Sequence, residues 1–450
     1  MIYPQNFETK IGFDEIRDLL KQRCLSTLGK GKVDDMAFSS DADEIKEWIE
    51  QTREFRRIQD GADDFPLQYF FDVRDAIKRI RLENTHLEES ELFDLRRSLQ
   101  TINDIVRYLN RAEDKGEDVD PAPLYPALYR LTQDVATYPQ LVQGIDQILD
   151  KFGHIRDNAS PELLNIRREL ARAESSVSKT LYSILRSAQS EGLVDKDVTP
   201  TLRDGRLVIP VMPGMKRKIS GIVHDESATG KTVFIEPSEV VEANNRIREL
   251  ESEERHEIIR ILTTFTNKVR PHSRDILESY SFLATIDFIR AKAELAKLTK
   301  AIEPEITDKP HVDWIQSRHP LLQLSLEKQG KKVVPLDIIL NNEKHILIIS
   351  GPNAGGKSVC LKTVALLQYM LQCGLLVPLE ETSRMGVFDQ LMIDVGDAQS
   401  IEDDLSTYSG HLKNMKAFVR YANASTLLLI DEFGTGTEPL IEGVGLAANQ

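Results

Sequence analysis

The sequence predicts an α/β P-loop domain joined to a mostly α-helical lever that carries a small β-rich insert, and three observations lead there. An octapeptide at residues 351–358, GPNAGGKS, follows a short apolar run and opens a helical one. Long stretches before it space their apolar residues three and four apart, as Leu92, Leu95, Leu99, Ile102 and Ile105 do, which is the period of an amphipathic helix. Between Arg203 and Pro237 that period gives way to short β-like runs, RLVIPV, KRKISGIVHD and KTVFIEP, divided by Pro213-Gly214 and by Ser227 to Gly230.

A length of 450 residues corresponds to about three domains. With 41% hydrophobic, 29% charged and 6% aromatic residues, disordered, collagen-like and membrane-embedded classes are set aside. The 57 basic against 72 acidic side chains leave a net charge of -15, so a polyanionic partner has to meet a local basic patch. Cys24, Cys360 and Cys373 are scattered, without metal or disulfide spacing. No basic segment leads into an apolar run at the N-terminus. The most apolar window, Val364 to Leu379, is interrupted by Gln368, Gln372 and Gly374 and is too short to span a bilayer. A reducing, cytoplasmic setting without membrane contact is therefore expected.

In chain order, residues 1–120 read as an N-terminal helical region, closed by a loop from Gly116 to Pro126 with Pro121 and Pro123 in it. Ser160-Pro161-Glu162 sets a capping hydroxyl before a proline at the first helical position, and the helix it starts runs to about Ser190. Helical spacing resumes at Ser238 and continues to about Ala301, with Pro271 among its few turn residues. Two long helices thus flank the insert, and residues 121–309 are expected to form a helical core and lever with a β-rich tip around 203–237. Strands, loops and helices alternate after Pro304, so the last domain is placed over residues 310–450, with an apolar strand at His345 to Ser350.

Residues 351–358 satisfy G-x-x-x-x-G-K-[ST]. Along Gly351, Pro352, Asn353, Ala354, Gly355 and Gly356, successive backbone N–H groups can turn inward on a β-phosphate at a helix N-terminus, where peptide dipoles favour an anion. Lys357 then reaches the β and γ phosphates and the Ser358 hydroxyl ligates Mg2+, so ATP and Mg2+ are the predicted cofactors. A glycine-rich turn that binds nothing is the alternative, and it leaves the strand, loop, helix order and the Lys-Ser pair unexplained. A second GKT, Gly230-Lys231-Thr232, has Asp225 where the first glycine belongs, and reads as a hairpin turn.

Leu427 to Ile430 run unbroken into Asp431-Glu432. A parallel strand buried on both faces reads as continuous apolar, and ligands lie beyond its carboxyl end. Asp431 is placed to hold the magnesium shell and Glu432 to orient or deprotonate the attacking water. Acids that merely end a buried strand are the alternative. Between loop and strand, Asp404-Leu405-Ser406-Thr407-Tyr408-Ser409-Gly410 precedes helical spacing, and its hydroxyls either cap that helix or donate to phosphate oxygens.

GPNAGGKS, DDLSTYSGHL and LLLIDEFGTGTEP, with Arg318-His319-Pro320, together resemble the MutS family of ABC-type ATPases. The run from Arg203 to Glu251 resembles its bacterial second branch, whose full-length members end in a small Smr nuclease domain. The resemblance implies an ABC-type ATPase domain, a helical lever and a β-containing clamp. It also implies nucleotide contacts from Asn353, Gly356, Lys357 and Ser358, and magnesium and hydrolysis roles for Asp431 and Glu432. Ser406 would contact, across a homodimer, the γ-phosphate held by the other protomer. Tyr408 stands where the family usually has Phe, and Ser358 where the branch often has Thr.

Proteins of this kind are associated with binding branched DNA, restraining homologous recombination and splitting collided ribosomes. The implied partners are therefore DNA read with weak sequence preference, or the ribosome and its RNA. The chain stops at Gln450, soon after Gly434 to Pro439, so the family's later switch histidine and the Smr domain with its endonuclease activity are expected to lie outside it. Phe7-Glu8-Thr9 is not the Phe-x-Glu wedge of mismatch-finding members, and mismatch reading in their manner is not expected.

Lys216, Arg217 and Lys218, with Arg203, Arg206 and Lys231 nearby in sequence, are the candidate nucleic-acid contacts, because cations at the end of two arms neutralise phosphates. A solvated hairpin of mixed charge is the alternative, and no interleaved aromatics point to base stacking. The competing function is an SMC-like or transporter-type ABC ATPase whose arms make protein contacts only. A small-molecule kinase fits less well, since it has no place for a signature helix and Glu432.

Overall fold

Capping residues and prolines set the helix ends. Ser160 accepts the Leu163 N–H through Oγ at 3.0 Å, which satisfies one of the four orphan donors of a helix start. At the far end of the next long helix Pro271 sits in a 3-10 turn, Arg270–His272, where its missing N–H is tolerated. The helical stretch expected from Ser238 to Ala301 is accordingly two helices.

The computed structural model describes residues 1–61, 64–67, 70–112, 122–203, 205–351, 356–395 and 404–431, with side chains in the last stretch from residue 410 onward. The chain begins with β1 (Ile2–Tyr3), α1 (Phe7–Ile11), α2 (Phe13–Arg23), α3 (Thr27–Asp34), α4 (Ala42–Asp60), α5 (Arg74–Arg79), α6 (Glu89–Leu109), α7 (Pro126–Arg130), α8 (Pro139–Ile148) and α9 (Pro161–Ser190). Next come β2 (Thr201–Arg203), β3 (Arg206–Val211), β4 (Gly221–Glu226), β5 (Val233–Pro237), α10 (Ser238–Val269) and α11 (Ser273–Thr299). The remainder is β6 (Glu305–Thr307), β7 (Val312–Ser317), α12 (Pro320–Lys328), β8 (Leu336–Leu340), α13 (Lys357–Gln372), β9 (Arg384–Gly386), β10 (Gln390–Asp394), α14 (Asp404–Tyr421) and β11 (Thr426–Ile430). No described helix is long and apolar enough to cross a membrane.

Two compact units emerge, one from residues 1–72, 101–137 and 278–450, the other from residues 73–100 and 138–277. In the first, α13 is the centre of the core. Its Leu366, Leu367, Met370 and Leu371 are buried with Phe7, Phe13, Ile16 and Leu20 from the N-terminal helices and with Leu391 and Ile393 of β10. Each such side chain contributes about 1.5–3 kcal/mol on leaving water. A three-stranded parallel sheet, order β1-β10-β11, and a four-stranded sheet, order β6-β9-β7-β8, complete the unit.

One expected strand has no partner among the described residues. Among the described residues His345 to Ser350 carry no ladder bonds, and Ile346 and Ile348 are 74% and 85% exposed. A strand exists only beside another backbone that accepts its hydrogen bonds, and no described strand lies beside this run. β11 also departs from expectation: it alternates buried Leu427 and Leu429 with Leu428 at 40% exposure, so it buries one face rather than two.

In the second unit α9 packs along α10, with Val177, Leu181 and Leu185 against Val240 and Ile247. Between these helices the chain forms a four-stranded sheet, order β2-β3-β5-β4. The β4–β5 turn is closed by Gly230 N–H to Ser227 O at 2.7 Å, with Gly230 at φ 65°, a left-handed conformation in which a side chain would be strained. That is the hairpin expected of Gly230-Lys231-Thr232.

Candidate nucleotide-binding site

α13 starts at Lys357, and its cap Gly356 lies at φ 86°, a conformation open to glycine at little cost. A side chain begun at Gly351 or Gly356 would meet no heavy atom of the described residues within 4 Å, so no described group fills the space at either end of the loop. The Lys357 ammonium donates from Nζ to the Gly351 carbonyl at 2.6 Å, which draws the cation back across the loop. Ser358 is exposed on the first turn of the same helix. An exposed hydroxyl, a cation and the N-terminus of a 16-residue helix beside space that no described group fills are a donor set that fits a magnesium-bound phosphate. Among the described residues no group of three or more His, Cys, Asp or Glu gathers to hold a metal unaided. Pro352, Asn353, Ala354 and Gly355 lie outside the described residues.

Asp431 follows the last residue of β11, and its N–H donates to Asp394 O at 2.8 Å. The parallel register pairs Asp394 with Ile430, so the carboxyl ends of β10 and β11 lie side by side. Glu432 lies outside the described residues, as does the side chain of Ser406. The backbone of Ser406 belongs to α14, inside the helix rather than before it.

Sequence reasoning missed Asp394. Its side chain is 3% exposed; Oδ2 lies 2.7 Å from His411 Nδ1 and Oδ1 accepts from Asn414 Nδ2 at 2.7 Å. Asn414 in turn accepts from Tyr3 Oη at 2.9 Å. One buried carboxylate thereby ties β10 to α14, the helix that carries Ser406. The signal was available in QLMID, an apolar run ending in an acid like the one before Asp431.

Arg318-His319-Pro320 sits at the start of α12, where His319 accepts the Leu322 N–H at Nδ1, 3.4 Å. Burial, with the Lys362 cation adding to it, pushes this imidazole down to about 4. It is neutral at pH 7. Beside α13, burial raises the Glu8 carboxyl, but bonds from Arg17 and Tyr369 more than offset that and hold it below the usual range.

In the second unit, Lys216, Arg217 and Lys218 are exposed, and none has an ion pair among the described residues. Of the two neighbouring arginines only Arg206 is neutralised by an ion pair among the described residues. Arg203 stacks 4.3 Å from the centre of the Phe234 ring, and Arg206 donates to both oxygens of Glu236 at 2.8 Å. Glu236 is 0% exposed; burial alone would raise its carboxyl, yet bonds from Asn244, His224 and Arg206 hold it below the usual range. The sheet thus pairs one of these cations, Arg206, with a buried carboxylate, while Arg203 stays exposed against the Phe234 ring.

Residues 347–449, which include the Lys357 loop, Ser406 and Asp431, match the family model for MutS domain V. The chain belongs to the MutS family. Over nearly its whole length it is similar to proteins of the second branch. One from Enterococcus faecalis, described as endonuclease MutS2, is 36% identical over 443 residues, 98% of this chain and 54% of the relative. Relatives of the same description from Levilactobacillus brevis and a Geobacillus species are each 37% identical, covering 97% of this chain and 53% and 54% of their own lengths. The chain spans about half the length of these curated relatives.

Proposed function

We propose that this chain is the ATP-binding and arm-bearing part of a MutS-type nucleic-acid clamp. The observation that carries the reading is the Lys357–Gly351 closure beside a helix N-terminus that no described group covers, within a segment that matches MutS domain V. Bound ATP with Mg2+ supplies the triphosphate to be hydrolysed and the charge that neutralises it. Lys357 and the loop N–H groups, those of Asn353 and Gly356 included, grip the phosphates, while Ser358 and Asp431 hold the metal. Glu432 orients the attacking water. Ser406, delivered on α14, contacts the γ-phosphate of the partner protomer in an ABC-type homodimer, and so makes dimer closure depend on nucleotide.

A ligand shifts such an equilibrium only by its differential affinity for the two states, and the contact in trans supplies that difference. The tip cations Lys216, Arg217 and Lys218 then meet phosphates of branched DNA, with weak sequence preference, or of ribosomal RNA on a collided ribosome. The setting is cytoplasmic, and the working division is 1–120, 121–309 and 310–450. The endonuclease activity in the relatives' description is assigned to no residue of this chain. The alternative, an ABC ATPase acting through protein contacts only, shares the nucleotide site and lacks polyanion binding.

The test is magnesium-dependent binding of a fluorescent ATP analogue, followed by sedimentation with and without nucleotide. Binding to a four-way DNA junction and to collided ribosomes over a salt series completes it. No magnesium-dependent nucleotide uptake ends the reading; uptake with nucleotide-driven dimers but no polyanion binding moves it to the alternative.

A further inference from the structure

The outward face of α9 carries a stripe of cations that the reading above does not use. Arg168, Arg172, Lys179 and Arg186 are all exposed, and their spacing of four, seven and seven residues keeps them within about 40° of one another around the helix. The buried side chains of α9, Leu163, Ile166, Val177, Leu181, Leu185 and Ala188, define the opposite side. The acids of the helix, Glu162, Glu169 and Glu174, project at least about 80° from the centre of the stripe. Exposed Ser175 and Ser183 fall on the same face.

The pairing pattern separates these four cations from their neighbours. Arg167 is bonded to Glu254 and Asp157, Arg246 to Glu169, Glu249 and Glu253, and Arg260 to Glu257. None of the four stripe residues has an ion-pair partner among the described residues. α10, packed beside α9, mixes its signs: it exposes Glu242, Glu249 and Glu253 together with Arg246, Arg248, Arg255 and Arg260. In a chain of net charge -15, one arm helix therefore presents an unneutralised basic track.

We propose that this face of α9 is a docking track for the phosphate backbone of duplex DNA, along the arm and separate from the Lys216–Lys218 tip. From Arg168 to Arg186 the helix rises about 27 Å, a length that faces about eight base-pair steps of a duplex at 3.4 Å per phosphate on each strand. Contacts of this kind position a duplex without reading its sequence. The proposal rests on the nucleic-acid reading above.

The experiment measures anisotropy of a labelled DNA duplex and of a four-way junction between 50 and 200 mM KCl. It compares the parent chain, the variant R168Q/R172Q/K179Q/R186Q and the tip variant K216Q/R217Q/K218Q. Four neutralised phosphates correspond to about 3.6 of the slope of log affinity against log salt, so the α9 variant should bind at least tenfold more weakly with a slope shallower by about 3. Glutamine keeps the helix propensity, and R168K/R172K/R186K, which retains every charge, should bind like the parent.

If the parent binds, the tip variant fails and the α9 variant keeps the parent's affinity and slope, the track is wrong and the clamp reading stands. If the parent binds no duplex at all, both fall. Parent binding to an RNA duplex but not to DNA overturns the choice of DNA.

Discussion

Asp394 Oδ2 lies 2.7 Å from His411 Nδ1, and this contact is where the sheet of the first unit meets the helix carrying Ser406. The same carboxylate accepts from Asn414, so two side chains within one turn of α14 are held by one buried group at the end of β10. Its neighbour in the sheet, β11, ends at Ile430, directly before Asp431. A single acid therefore stands between the acidic strand end and the helix expected to reach across a dimer.

Removing that acid leaves His411 and Asn414 facing a buried gap. Asp394→Ala should cost about 1–3 kcal/mol, read as a lower midpoint in urea denaturation. A loss below about 0.5 kcal/mol would mean that the contact with His411 and Asn414 does not hold α14 in place.

Lys357→Ala deletes the only side-chain cation that the described first turn of α13 offers to a phosphate. Affinity for a fluorescent ATP analogue should fall at least tenfold, about 1.4 kcal/mol, while the far-UV circular dichroism stays as in the parent. Unchanged affinity would take the phosphate away from this loop.

His319 makes stability pH-dependent in a defined direction. Its ordinary value is 6.5 and its folded value about 4, so above pH 6.5 it is neutral in both states. As pH falls below 6.5 the unfolded chain takes the proton and the folded one does not, and stability declines until about pH 4. The ceiling is about 3 kcal/mol, reduced by the residual exposure of the ring. His319→Asn should flatten the curve of melting temperature between pH 6.5 and 4; an equally steep curve would assign the acid sensitivity elsewhere.

Lys292 is 4% exposed, with Nζ 3.2 Å from Gly374 O and 4.9 Å from the Phe288 ring centre. Burial pushes its amine down to about 7 from 10.5, so its cost to the folded state grows as pH falls from 10.5 to 7. Lys292→Met, of similar length, should raise stability at pH 7 by about 1–4 kcal/mol. A lower melting temperature would show that the bond to Gly374 outweighs the desolvation of the amine.

Much of the first unit's chemistry was legible because it is local. The glycine loop, its lysine and the helix after it occupy consecutive residues, and a left-handed Gly356 with Lys357 folded back on Gly351 requires nothing distant. Ser160 as a cap and Gly230 in a turn are of the same kind. His345 to Ser350 show the limit, because apolar character is necessary for an inner strand, a neighbouring backbone is what makes it one, and no described strand supplies that neighbour.

From residue order alone came the helical arms, the β insert between them, the phosphate loop and the two acids after an apolar run, since each depends on periodicity or on groups a few bonds apart. Tertiary structure alone decided that Asp394 holds α14, that Arg206 is spent within the sheet, and that Arg168, Arg172, Lys179 and Arg186 have no ion pair among the described residues. Those outcomes turn on which distant side chain comes within hydrogen-bond reach, and burial and charge pairing act through space rather than along the chain.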